Sequence, residues 1–160
     1  MRPRKPTIPT LCGKPIAGRR LLVELGKGRA DGPRSESVLR HVQRSITHFL
    51  RTRSAILQCD SGTARPSPDS VHRLGLNWIV LEAKVHTMST EKGLRVDIGI
   101  RLLKYFGSNQ GIVGSIGAQV AQVPSAEKLL VRYIQEAMRF ISKDLGSALR
   151  HHSKTHAHLE

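Results

Sequence analysis

The clearest pattern in the sequence is a strict alternation of apolar and polar positions that begins at Leu94. Side chains two residues apart lie on the same face of a β-strand, so the alternation predicts a strand with one buried face. The predicted inward positions are Leu94, Val96, Ile98, Ile100 and Leu102, and the outward positions are Arg95, Asp97, Gly99 and Arg101. A turn at 106–111 leads into a second strand, IVGSIGAQVAQV, whose predicted inward positions are Ile112, Ile116, Ala118 and Val120.

Two glycines, Gly114 and Gly117, interrupt that second strand. A glycine inside a strand often marks a β-bulge or a place where another backbone approaches closely. We therefore expect a bulge or close packing under a helix, with the approach of a ligand to the bare backbone as the alternative.

Three apolar runs precede this hairpin. LGLNWIVLEAKVHTM at 74–88 predicts a long strand, and STEKG at 89–93 predicts a turn in which Gly93 is available for positive φ. RRLLVEL at 19–25 and SAILQC at 54–59 predict two shorter strands. The glycine-bearing GKGRADGP and the segment DSGTARPSPDS at 60–70 predict loops.

Apolar residues recur at helical spacing in two segments. The first has Ser35 as its predicted N-cap and Glu36 in its first turn, where a negative charge is favourable. Its apolar positions are Val38, Leu39, Val42, Ile46, Phe49 and Leu50. The second follows Pro124, with Ser125 as its predicted N-cap. Its apolar positions are Ala126, Leu129, Leu130, Tyr133, Ile134, Ala137, Met138, Ile141, Leu145 and Leu149.

The order of these elements is strand, helix, strand, three-stranded meander and helix. It predicts an α/β (α+β) two-layer sandwich with a mixed sheet of about five strands, because each apolar helix face needs a sheet to cover it. A helix between the first two strands allows parallel pairing, whereas the hairpins pair antiparallel. We expect a disordered, proline-containing basic arm at 1–18, one domain at 19–150 and a flexible His-rich tail at 151–160.

The charge of the chain is strongly positive. Twenty-six Lys and Arg face 12 Asp and Glu, which gives a formal net charge of +14. Such a field favours nucleic acid, an acidic polymer or an anionic lipid surface as partner, although the charges can also serve only to solvate the surface. The basic residues are not concentrated on one predicted helix face. The candidate anion-binding residues are those of the basic arm, Arg2, Arg4, Lys5, Lys14, Arg19 and Arg20.

The two cysteines, Cys12 and Cys59, lie far apart and form no Cys-x-x-Cys motif. Two separate thiols are the favoured interpretation, and one disulfide is the alternative. The redox compartment does not follow from this pattern.

No motif predicts catalysis or the binding of a cofactor. The chain lacks GxxxxGK[ST] and GxSxG motifs. Glu82 and Asp97 are expected to pair with Arg or Lys across strands rather than to act as an acid and a base. A histidine cluster lies at the C-terminus without supporting ligands, and it comprises His151, His152, His156 and His158. We therefore predict no enzyme activity, no cofactor and no metal site.

From RRLLVELG through AILQC to the final helix, the layout of residues 19–150 resembles small α/β domains of bacterial envelope lipoproteins. Curli-secretion proteins and penicillin-binding-protein activators contain such domains, and uncharacterised myxobacterial proteins have a similar layout. The resemblance rests on the order of the elements and on the small-residue strand with Gly114 and Gly117. It implies a non-enzymatic accessory or assembly domain, and no site residue carries over from it.

These observations predict a non-catalytic domain that binds a protein partner, located in the cell envelope if a signal sequence is missing from this chain and in the cytoplasm otherwise. The alternative is a basic, sequence-nonspecific nucleic-acid-associated protein. A contiguous basic stripe would favour nucleic acid, and a free strand edge or bare apolar groove would favour a protein partner. The sequence has no apolar run of about 18 residues that would predict a membrane span.

Overall fold

The computed structural model describes residues 9–59, 65–124 and 126–153. Its elements are, in chain order, β1 (Thr10–Leu11), β2 (Lys14–Pro15), β3 (Leu21–Leu25), β4 (Arg29–Asp31), α1 (Ser35–Arg51), β5 (Ile56–Leu57), α2 (Pro68–Arg73), β6 (Asn77–Thr90), β7 (Gly93–Phe106), β8 (Asn109–Val123) and α3 (Glu127–His152). Strands β3 to β8 form one mixed sheet, and β1 pairs with β2 in a separate hairpin. The predicted α+β class with a mixed sheet is confirmed, although the described residues hold more strands and one more helix than predicted.

The main sheet has the order β5-β3-β6-β7-β8. Strands β3 and β4 follow one another along the same side of β6, and both run parallel to it. Strands β6, β7 and β8 form the predicted antiparallel meander. The segment that contains β4 was predicted to be a loop. That prediction is wrong, because a strand of three residues is too short to leave an alternating pattern.

Helices α1 and α3 cover one face of the sheet. Helix α1 lies over β3, β4 and β6, helix α3 lies over β8, and the two helices contact each other. All five predicted inward positions of β7 are buried between the sheet and these two helices, and so are most of the predicted apolar positions of the helices. The exceptions are exposed or half-buried and comprise Leu39, Ala126, Leu129 and Tyr133.

Both predicted helix caps need correction. Arg34, with a positive φ of 59°, is the N-cap of α1, while the Ser35 hydroxyl donates to the Gly32 carbonyl at 2.8 Å. Ala126 is the N-cap of α3, without a side-chain hydrogen bond, and Ser125 lies outside the described residues. The reason at α1 is that the chain turns through the left-handed conformation of Arg34, which shifts the start of the helix by one residue.

On the opposite face of the sheet, the described residues cover only one end. Helix α2 and the β1–β2 hairpin pack there on β5, β3 and the first residues of β6. The buried residues of this second cluster are Leu11, Leu22, Leu57, Val71, Leu76, Trp78 and Val80. Ser67 caps α2 by accepting a hydrogen bond from the Ser70 N–H at 3.2 Å, with Pro68 at the first helical position. This helix lies in and just after the segment that was predicted to be a loop.

The N-terminal segment differs from its prediction in two ways. Cys12 and Cys59 form a disulfide with their Cα atoms 5.5 Å apart, so the expectation of two separate thiols is wrong. Residues 9–18 were predicted to be disordered, yet they contain the hairpin, whose turn places Cys12 and Gly13 at positive φ. Strands of two residues show no periodicity, and the pairing of distant cysteines depends on the tertiary fold. Residues 1–8 lie outside the described residues.

A bulge changes the register of β8. Leu102 pairs with Gly114 but Leu103 pairs with Ile112, so Val113 is an extra residue. Val113 therefore packs on the core, and Ile112 lies on the opposite face with 61% of its surface exposed. The prediction that Ile112 points inward is wrong for this reason, because one extra residue exchanges the two faces of a strand. The predicted bulge beside Gly114 is confirmed.

Helix α3 continues into the predicted tail. It ends at His152, whose backbone carbonyl accepts a hydrogen bond from the Asn77 side-chain amide at 2.8 Å. His156 and His158 lie outside the described residues. Within the described residues no group of three or more His, Cys, Asp and Glu side chains is placed to hold a metal ion.

Candidate functional site: a strand edge and a basic groove

The described residues of the predicted basic arm are not assembled into one anion site. Lys14 donates to the Gln58 carbonyl at 2.7 Å, and Arg19 donates to the carbonyls of Ser54 and Ile56 at 2.8 and 2.7 Å. These acceptors belong to β5 and the residues beside it, at one edge of the sheet. Two of the predicted binding residues therefore satisfy main-chain acceptors at that edge.

The other predicted arm residues are placed differently. The side chain of Arg20 is exposed, and its N–H donates to the Ala55 carbonyl at 2.8 Å. Arg2, Arg4 and Lys5 lie outside the described residues.

The opposite edge of the sheet is formed by β8. Within the described residues this strand pairs only with β7. Its 15 residues, NQGIVGSIGAQVAQV, include no charged residue and no proline. Edge strands of soluble proteins are usually protected by lysine, proline or a bulge, because an unpaired backbone is a template for another strand. Here irregularities occur only near the two ends, and the pairing from Gly114 to Val120 is continuous.

The side chains beside this edge are apolar. Ile116, Ala118 and Val120 of β8 are half-buried against the main core. On α3, Leu129 and Tyr133 are 40% and 38% exposed and lie one turn apart. They lie on the side of α3 away from the residues that face α1, which places them toward the β8 edge. A strand added to β8 would therefore extend the apolar face of the sheet beneath them.

A groove between α1 and α3 is lined by cations from both helices. It has a volume of about 750 Å³, and the cations that line it are Arg44, Arg53, Arg139 and Lys143, together with His48. None of the described residues that line it is an Asp or Glu. Arg40 and Arg51 continue the same positive surface along α1.

The cations of this groove are free to bind other groups. Arg44, Arg139 and Lys143 make no ion pair with any described residue, and Arg53 lies over the Phe49 ring at 4.5 Å. Phe140 of α3, which is 70% exposed, does not line the groove but lies three residues before Lys143, so the two side chains are neighbours on the helix surface. Local sequence patterns do not indicate this groove, because its cations come from both helices.

The part of the sheet that the described helices leave open carries polar pairs. Glu82 of β6 pairs with Arg101 of β7 at 3.3 Å, Asp97 pairs with Arg95 of its own strand at 3.7 Å, and the His86 Nδ1 atom lies 3.0 Å from an Asp31 carboxylate oxygen. The predicted cross-strand ion pair is confirmed for Glu82. It is wrong for Asp97, whose partner across the strands is the Gln119 side-chain amide, which donates to it at 2.8 Å. Gly99 lines a shallow depression of about 250 Å³, together with residues of β4, β6, β7 and β8. Arg29 and Lys84, which lie beside it, have no ion pair with any described residue.

Three solved structures share similarity with this fold at low sequence identity. A hypothetical protein from Chlamydia trachomatis is 10% identical, with a TM-score of 0.46 over 77% of this chain and 96% of that one. A further uncharacterized protein is 8% identical, with a TM-score of 0.46 over 82% and 93% of the two chains. A putative neuraminyllactose-binding hemagglutinin homolog from Helicobacter pylori is 15% identical, with a TM-score of 0.46 over 96% and 94%. This level of similarity carries no argument about function.

No protein-family model and no curated protein matches the sequence. Among the described residues, no helix is both long enough and apolar enough to cross a membrane.

Proposed function

We propose that this chain is a non-catalytic accessory domain that binds a partner protein by adding a strand of the partner to β8. The observation that carries the proposal is the 15-residue strand without charge or proline that has one neighbour within the described residues. In strand addition the main-chain hydrogen bonds supply affinity, and pockets for alternate side chains supply specificity. Leu129 and Tyr133 offer such a surface for the inward side chains of the added strand.

The partner segment that fits this edge is an extended strand in which every second residue is small and apolar, with acidic residues nearby. The full chain carries a formal net charge of +14, so an acidic partner is attracted and a second copy of the chain is repelled. Self-association through β8 is therefore the less favourable outcome, even though β8 itself carries no charge.

The location that we propose is the bacterial cell envelope. The resemblance of residues 19–150 to accessory domains of envelope lipoproteins supports it. The disulfide between Cys12 and Cys59 also supports it, because disulfides persist in oxidising compartments and are rare in cytosolic proteins.

The test begins with a displayed library of random peptides selected against the full chain. We expect the enriched peptides to alternate small apolar residues and to contain Asp or Glu. When a selected peptide binds, the alternate amides of 114–120 that do not donate to β7 should become protected from hydrogen exchange. Tyr133→Ser should weaken binding, whereas the control Met88→Ser, which removes an exposed apolar side chain from β6, should not.

Two N-methylated forms of the selected peptide test the binding mode directly. An added strand uses only alternate N–H groups toward its neighbour, so methylation of one alternate set should abolish binding and methylation of the other set should not. Equal loss with both sets, or protection of amides outside β8, would refute strand addition. If sedimentation experiments show a dimer in which β8 is buried, the partner of β8 is a second copy of the chain and not an acidic protein.

A further inference from the structure

Cations from two helices come together where α1 and α3 meet. Arg44 and Arg53 approach the groove from the α1 side, and Arg139 and Lys143 approach it from α3. No carboxylate lines it among the described residues, although the chain has 12 Asp and Glu. Such clustering without compensating charge produces a local positive potential that attracts phosphate groups.

We propose that this groove docks the domain on an anionic lipid surface. The proposal is independent of strand addition, because the groove and the β8 edge use different residues. Arginine is suited to phosphate because its planar guanidinium presents several donors in a fixed arrangement. Basic residues near a negatively charged membrane surface each contribute to binding, and the contribution fades within a Debye length.

Two observations favour lipid phosphates over those of nucleic acid. The first is the Cys12–Cys59 disulfide, because disulfides are rare in the cytosolic and nuclear proteins that share a compartment with nucleic acid. The second is Phe140, whose exposed ring lies outside the groove but next to Lys143 on the surface of α3, three residues before it. Peripheral membrane helices combine basic residues with exposed aromatic and aliphatic side chains that enter the lipid interface.

The experiment compares two double variants that lose the same charge. Arg44→Gln with Arg139→Gln neutralises the groove, and Arg29→Gln with Lys84→Gln neutralises two cations of the uncovered sheet. All four side chains lack ion pairs with described residues, so both variants should fold. Circular dichroism melts check this before binding is measured by co-sedimentation with vesicles. The vesicles are phosphatidylcholine alone, or phosphatidylcholine with about one-third phosphatidylglycerol.

We expect the wild-type chain to bind the vesicles that contain phosphatidylglycerol and to leave the neutral ones unbound. The groove variant should lower the partition coefficient about thirtyfold, or roughly fivefold per charge, and the sheet variant should lower it less than about threefold. Salt at about 0.5 M should release the protein, because the Debye length then falls well below that in physiological salt. Phe140→Ser should weaken vesicle binding without changing the affinity for a DNA duplex.

Three results would overturn the proposal. Equal losses in the two double variants would mean that net charge alone drives binding. Failure of the wild-type chain to prefer anionic vesicles would remove the lipid surface as partner. Release of the protein from vesicles by a DNA duplex at equal phosphate concentration, with the same dependence on Arg44 and Arg139, would assign the groove to nucleic acid.

Discussion

Replacing both cysteines, as Cys12→Ala with Cys59→Ala, should destabilise the domain strongly. The bond joins residues that are 47 positions apart and fastens the β1–β2 hairpin over the second apolar cluster. A crosslink of this span lowers the entropy of the unfolded chain, which corresponds to about 4 kcal/mol of stability at 25 °C. For a chain of 160 residues, that change corresponds to a fall in Tm of about 12 °C.

Urea titrations followed by circular dichroism measure this effect, each with and without a thiol reductant. The wild-type chain in reductant should unfold at the urea concentration of the double variant, and reductant should leave the double variant unchanged. Deletion of residues 1–8 should have little effect, because it retains Cys12, whereas deletion of residues 1–18 should resemble the double variant. Non-reducing peptide mapping by mass spectrometry should recover Cys12 and Cys59 in one linked fragment.

An unchanged wild-type midpoint after reductant has freed both thiols would mean that the disulfide contributes nothing to stability. Equal stability of the two deletions would mean that the whole hairpin contributes nothing to the fold, as the predicted disordered arm implied.

Two further pairs of variants test the sheet. Ile98→Asp should cost several kcal/mol and unfold much of the protein, because the Ile98 side chain is 2% exposed and the new carboxylate has no partner. Asp97→Ala, on the other face of the sheet, should cost less than about 1 kcal/mol. Circular dichroism melts compare the stabilities of the two variants. Gly93→Ala should cost more than about 1 kcal/mol, because φ is +135° and the added Cβ would lie 2.4 Å from a backbone oxygen. Gly99→Ala, with no atom within 4 Å of the added Cβ, should be neutral or stabilising by up to about 1 kcal/mol; equal costs at the two glycines would contradict the backbone geometry described here.

Local patterns were sufficient for the long elements and insufficient for the short ones. The alternation through Ile98 is a property of neighbouring residues, and it placed β7 correctly because one face is buried along its length. In β8 the bulge at Val113 reversed the face of Ile112; the glycines predicted a bulge, but the pattern did not indicate which residue would be the extra one. Helix α2 has only six residues, so its capping serine was taken for part of a loop.

The candidate surfaces depend on tertiary arrangement, which is why the sequence analysis did not locate them. That β8 lies at an edge follows from the order of strands, not from the residues of β8. Arg44 and Arg139 are almost a hundred positions apart, and only the packing of α1 against α3 brings them to one groove. Conversely, Lys14 and Arg19 carried the right charge for an anion site, but the structure uses them to bind carbonyls near β5.

The hydrogen bonds from Lys14 and Arg19 have a consequence for stoichiometry. They occupy carbonyls at the β5 edge, so a further strand would have to displace them, whereas no described residue pairs with β8 on its outer side. On the proposed strand addition, the sheet would therefore be monovalent. A partner that adds one strand ends the growth of the sheet on this domain, and two copies joined through β8 would form a closed pair rather than a fibre.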